Sequence, residues 1–189
     1  MIRSLSAIFD PVIAPGVITA EPEAAAAAAL FRRESVDAVL VVHIMWSEDQ
    51  PLLRLLRDCA GLPLLLWNYH PTGSLPPKLS VQDVFRFSGT VGLLQGSAPL
   101  QRLGVTPHWI AGTPGDPVWK RDLADYAWAL RIHREFNGLR TGRIAGPCAV
   151  MTGTHVNPEA FRARLGGTLI EISAAEYADD LFHLFAPEF

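Results

Sequence analysis

The sequence is poor in cysteine, in lysine and in long apolar runs, and each shortage removes a class of protein. Two cysteines in 189 residues, Cys59 and Cys148, are too few for a disulfide scaffold, so a reducing compartment is expected. Lysine occurs only at Lys78 and Lys120, and arginine supplies the other basic side chains. With 16 basic residues against 19 acidic ones the formal net charge is -3. That balance offers no electrostatic footprint for nucleic acid or for an anionic membrane surface. The longest apolar stretches, such as Ala24–Phe31 and Leu62–Trp67, fall far short of the roughly 20 residues a membrane span needs. Arg3 is followed by only a few apolar residues before Asp10 and Pro11, so no secretory leader is read there. The expectation is a cytoplasmic chain without nucleic-acid or membrane partners.

What the chain does have is apolar content and clear helix punctuation. It is 49% hydrophobic with a mean hydropathy of +0.20, which fits a folded chain of one large domain or two small ones. Glu21, Pro22 and Glu23 open a helix through the alanine tract to about Arg33, with acid at the positive end of the helix dipole. Val36–His43 is a continuous apolar run, as a strand buried on both faces would be. A helix from about Asp49 to Ala60 carries Leu52, Leu55, Leu56 and Cys59 on one stripe, and Gly61 and Pro63 end it. A strand at Leu64–Trp67 follows, then a loop over 68–79. Ser80 and Asp83 form a capping box for the next helix, whose small residues Ser88 and Gly92 indicate close approach by another backbone or a pocket floor.

The alternation continues to the end. Val105–Ala111 reads as a strand, and Asp116 with Pro117 opens a long helix to Gly138. Arg143–Gly146 is a strand, Asn157–Pro158 opens a helix ended by Gly166, and Leu169–Ile172 is a strand. Ser173 and Glu176 box the last helix. Strands of about five residues alternating with helices give an α/β fold: a parallel-sheet, Rossmann-like three-layer domain over 1–140, then the beginning of a second α/β unit over 141–189. The N-terminus leaves room for a strand within Arg3–Phe9 or Val12–Ile18.

Open parallel sheets bind ligands outside the carboxyl ends of their strands. There the sequence places His43–Trp46, then Trp67-Asn68-Tyr69-His70, Thr113–Asp116, and Cys148–His155. Aromatic faces suit the C–H surface of a sugar, and Asn and His add directional hydrogen bonds, so Trp67, Asn68 and His70 are candidate binding residues. Trp67 and Tyr69 could equally cap the sheet. His43 is a ligand contact or a histidine satisfied by a nearby carbonyl. Met151 and His155 are pocket-lining candidates or loop-packing residues. Cys148 has neither an adjacent base nor a CxxC partner and reads as a structural thiol. Asp116 sits where a phosphate would, so the Gly112–Asp116 turn reads as capping. The late carboxylates Glu171, Glu176, Asp179 and Asp180 read as a solvent face.

Taken together, Val36–His43, Leu62–Asn68, Phe87–Gly96, Pro107–Gly112, the helix of 116–138, Arg143–Met151 and Phe161–Ile172 resemble the L-arabinose/L-fucose isomerase family. The likeness spreads over residues 10–185 rather than one compact signature. It implies a Mn²⁺-dependent aldose–ketose isomerase built of Rossmann-like domains and a barrel, with each active site shared between subunits of an oligomer. By position, Trp67 matches an aromatic residue against the sugar, with Asn68 and His70 in the same loop, and Met151 matches a methionine near the pocket. The family's metal-binding residues come from segments later than Ile172. The chain is therefore expected to lack a metal cofactor, to be a truncated or degenerate member or one piece of a larger enzyme, and to be inactive alone. It would supply pocket wall and contacts to a homo-oligomer or to a partner chain carrying the catalytic domain. A small-sugar binding module without catalysis is the alternative. A hydrolase or transferase using His43, His70 or His155 as base is a third.

Overall fold

A computed structural model describes residues 1–178. The chain forms two compact units, Met1–Leu130 and Arg131–Phe189. The first is a Rossmann-like α/β layer structure. In chain order it holds α1 (Ile2–Leu5), α2 (Glu21–Arg33), β1 (Val39–Val42), α3 (Gln50–Asp58), β2 (Leu64–Tyr69), α4 (Val81–Arg86), α5 (Gly89–Arg102), β3 (His108–Gly112) and most of α6 (Pro117–Phe136). The second holds β4 (Arg140–Ile144), a 3₁₀ turn at Thr152–Thr154, α7 (Pro158–Leu165) and β5 (Thr168–Ile172). The division falls inside α6. Gly138 ends that helix but does not start the second unit, and a boundary at residue 140 would coincide with the first residue of β4. Among the described residues no helix is long and apolar enough to cross a membrane.

All three strands of the first unit are parallel, in the order β1-β2-β3. Side chains of a strand alternate between faces, and this sheet is covered on both. Val39, Leu64 and Leu66 pack with Ala24, Ala27 and Ala28 of α2, Leu52 and Leu55 of α3, and Leu93 and Leu100 of α5. Leu65, Trp67 and Ile110 pack on the other face with Leu5 of α1 and with Trp119 and Leu123 of α6. In the second unit β4 and β5 form a parallel pair, with α7 against β5.

Helix starts follow the sequence closely. Ser80 Oγ accepts the Asp83 amide, and the Asp83 carboxylate accepts from the Ser80 amide at 3.0 Å. Asp116 Oδ1 accepts from the Val118 and Trp119 amides, and Asn157 Oδ1 from the Ala160 amide. Strand ends depart from it. β1 is shorter than Val36–His43, β2 runs on to Tyr69, β3 begins at His108, and β4 begins at Arg140 and stops where Ala145 and Gly146 turn to positive φ. The N-terminal segment is a short helix and a loop rather than a strand; Leu5 plugs the Trp67 face, which a helical turn can do with one side chain. The helix opened by Ser80 is two helices. Ser88 Oγ donates to the Phe85 carbonyl and accepts the Trp46 amide, breaking the run before Gly89.

That break lets α5 lie against the loop after β1. A Cβ on Gly89 would stand 2.2 Å from the His43 carbonyl oxygen, and one on Gly92 would stand 3.1 Å from the Ser47 amide nitrogen. Backbone cannot yield as a flexible side chain does. Gly89→Ala is therefore expected to destabilise the chain by about 1–3 kcal/mol, the usual cost of overpacking. Gly16→Ala, whose Cβ would meet nothing within 4 Å, is the neutral control; urea midpoints of the two variants make the comparison.

Candidate functional site

The carboxyl ends of β1, β2 and β3 bring His43, Asn68 and Gly112 to one edge of the first unit, as a parallel sheet requires. Trp67 is not part of any opening there, which corrects its assignment to a sugar-facing wall. Its relative exposure is 0%, its indole N–H donates to the Gly112 carbonyl at 3.0 Å, and its ring meets Tyr69 edge-on at 5.6 Å and Trp119 at 4.7 Å. The physical reason is strand length. Because β2 continues to Tyr69, Trp67 is a mid-strand residue between Val42 and Ile110, and alternation sends its ring into the α6 layer. Trp67→Ala is expected to cost about 3–5 kcal/mol of stability, as large aromatic truncations in a core do, measured by chemical denaturation.

Asn68, one residue on, faces the opposite layer. Its Oδ1 accepts the Thr90 hydroxyl of α5 at 2.7 Å. Together they form the polar end of an open cleft of about 430 Å³ between α5 and β3, with Leu94, Ser97, Trp109 and Ala111 along its sides and Leu93 and Ile110 behind them. Among the described residues β3 is an edge strand, and Trp109 on it is 43% exposed while its neighbour Ile110 is buried. The cleft continues past Ser97 and Trp109 towards Thr106 and Pro107. No residue named along either part has an ionisable side chain. This wall can stack on an apolar face and exchange hydrogen bonds with hydroxyls, but it holds no group that could carry a proton at neutral pH.

His43 is buried, 7% exposed, and its Nδ1 has no hydrogen-bond partner. Its Cδ2 would sit 3.2 Å from a Cβ at Gly92, so the ring lies close under α5, and of the two readings of His43 the carbonyl-satisfied one finds no carbonyl at Nδ1. Burial lowers its pKa, because the charged imidazolium loses hydration there. Beyond it, Trp46 is exposed and donates its indole N–H to Gln95 of α5 at 2.9 Å. His70 is half-buried, and its backbone amide donates to Gly112. Of the expected group, Trp67, Asn68, His70 and His43 belong to the first unit and Met151, like His155, belongs to the second. Within the first unit only Asn68 of that group lines the cleft.

Sequence reading missed Trp109, Thr90 and Ser97. Trp109 stands in an His-Trp-Ile-Ala-Gly strand where alternation puts it opposite Ile110, which is a usable signal once β3 is known to be an edge. For the Mn²⁺ ion that the family resemblance implies, hard carboxylate and imidazole donors would have to converge. Among the described residues no three His, Cys, Asp or Glu side chains do so, and they do not fit such an ion. Asp179 and Asp180 lie outside the described residues. Cys148, expected to be a structural thiol, is exposed; Cys59 is the buried one.

The His43 ring gives a pH prediction. Its folded-state pKa lies below its ordinary 6.5, so the unfolded chain binds the proton more readily. His43 thus supports full stability above about pH 6.5 and takes it away as pH falls below that, with a slope of at most about 1.4 kcal/mol per pH unit. Urea midpoints at pH 7.5 and 5.5 should separate for the native chain and draw together in His43→Gln.

No protein-family model matches this chain, and no curated protein matches it.

Proposed function

We propose that the chain binds a small sugar or polyol in the α5–β3 cleft and does no chemistry on it by itself. One observation carries this reading: an exposed indole, Trp109, shares an open, uncharged cleft with the Asn68–Thr90 pair. A pyranose presents a C–H face and a rim of hydroxyls, and that wall offers a ring for the first and an amide and hydroxyls for the second. Aldose–ketose interconversion needs groups that move protons between neighbouring carbons, and the cleft has none. The resemblance to the L-arabinose/L-fucose isomerase family supports the same ligand class. A second reading draws on the cleft's open side along β3: the cleft is a pocket wall completed by another subunit or by a partner chain that carries the catalytic groups.

Calorimetric titration with L-fucose, L-arabinose and a non-sugar control tests the proposal. Covering about 50 Å² of indole face at about 25 cal/mol per Å² is worth about 1.3 kcal/mol, so Trp109→Ala should weaken sugar binding about tenfold. Trp109 is 43% exposed, so its removal also costs some stability, and the binding comparison is made at a temperature where circular dichroism shows the variant folded. Absence of binding to any of the sugars, or binding indifferent to Trp109, would overturn the proposal. Mn²⁺-dependent interconversion by this chain alone would overturn the claim that it does no chemistry. Binding that appears only with a catalytic partner would select the second reading.

A further inference from the structure

The α5–β3 cleft has polar side chains at both ends and one aromatic ring between them. Its first part, of about 430 Å³, carries Asn68 and Thr90. Its second part, of about 310 Å³, carries Gln101 of α5 and Thr106 of the loop before β3. Ser97 and Trp109 line both parts, so the indole stands at their junction.

The walls set the length. From Thr90 to Gln101 the helix wall rises about 16 Å, at about 1.5 Å per residue. Residues 106–111 on the other wall span about 16 Å at about 3.3 Å per residue, and Pro107 keeps Thr106 extended. A six-membered ring with bonds of about 1.5 Å measures about 6 Å between hydroxyl oxygens on opposite carbons. A single sugar ring therefore fills less than half of the cleft.

Hydrogen bonds fix the far end. The Gly104 amide donates to the Gln101 carbonyl at 3.1 Å and the Val105 amide to the Leu100 carbonyl at 3.0 Å, with Gly104 in the left-handed region. That turn returns Thr106 to the end of α5. Both side chains are exposed, and among the described residues neither the Gln101 side-chain amide nor the Thr106 hydroxyl has a hydrogen-bond partner. At the junction Ser97 donates its hydroxyl proton to the Leu94 carbonyl at 2.6 Å and keeps its lone pairs to accept.

We propose that the cleft takes two linked sugar rings, one beside Asn68 and Thr90 and the next beside Gln101 and Thr106, with Trp109 under the linkage. The ligand is then an uncharged disaccharide or the end of a longer glycan, rather than a free aldose. This rests on the sugar-binding reading and narrows it. The indole offers its face to the C–H surfaces of both rings, and the two polar ends meet their hydroxyls. The lining has no ionisable side chain to pair with a sugar acid or a sugar phosphate. A glycosidic bond also ties up the carbon that an aldose must free to react, in keeping with a cleft that has no group to move a proton.

Calorimetric titration of the full chain compares disaccharides with their own component sugars. The probes are L-fucose linked to galactose, arabinobiose, cellobiose and maltose. At least one should bind about tenfold tighter than either of its components, the worth of two ordinary hydrogen bonds. Gln101→Ala combined with Thr106→Val should bring that ratio back to about one, whereas Trp109→Ala should weaken single and linked sugars alike. Gln101 and Thr106 are exposed, so circular dichroism should show the double variant folded. If single sugars bind and no disaccharide binds tighter, the two-ring claim is overturned while the sugar-binding reading stands. A gain that survives the double variant also overturns it. Absence of binding by every sugar, single or linked, removes both.

Discussion

β2 is hydrogen-bonded to a neighbour on each side, and both faces of its sheet are covered by helices, so the side chains of Leu64–Trp67 have only two directions and neither is solvent. Leu64 and Leu66 go to the α3–α5 layer, Leu65 and Trp67 to the α6 layer. The positions of everything functional follow from that alternation. Asn68 continues the first set and reaches α5 just where the leucines end, so it exchanges a core contact for a hydrogen bond to Thr90. A one-residue shift of register would exchange the two sets, placing Asn68 in the aromatic layer and Trp67 against α5.

The other wall of the cleft depends on how closely α5 can approach. Its glycines let the helix lie on the backbone of residues 43–47, with Ser88 and Gln95 holding Trp46 from above. The same contact seals His43 away from water without giving Nδ1 a partner. Tight approach near the sheet edge and a cleft farther along are two results of one helix direction: α5 touches the β1 loop at its first turns and stands over β3 afterwards. Because both walls are extensions of apolar core surfaces, the cleft has hydroxyl and amide groups but no charge.

Helix starts were legible because their signals are local. Ser80 with Asp83, Asp116 and Asn157 each act within three residues, and their hydrogen bonds are all present. Strand ends were not, because a strand stops when its neighbour stops. Trp67 was read as a terminal residue since Asn68-Tyr69-His70 looks like a loop; Gly112 extends β3 far enough to pair with Tyr69 and makes Trp67 interior. Trp109 was overlooked for the converse reason. Its run reads simply as a strand, and its exposure goes with β3 having no outer neighbour among the described residues, a property of sheet order rather than of the residues in it. The break at Ser88 was hidden because the partner that helps fix it, the Trp46 amide, is 42 residues away.

The second unit is organised on a different footing. Parallel strands are usually covered on both faces, yet Ile144 and Leu165 are exposed, and Leu169, Ile170 and Ile172 are only partly buried. Among the described residues of this unit the local order is carried largely by polar ties. Arg143 pairs with Glu171 across the strands, Asn157 caps α7, Gly166 closes it in the left-handed region, and Thr154 pins the 148–155 turn. Polar ties fix backbone without needing to cover side chains. That is why the 148–155 loop is closed by hydrogen bonds while its cysteine, methionine and histidine remain at the surface.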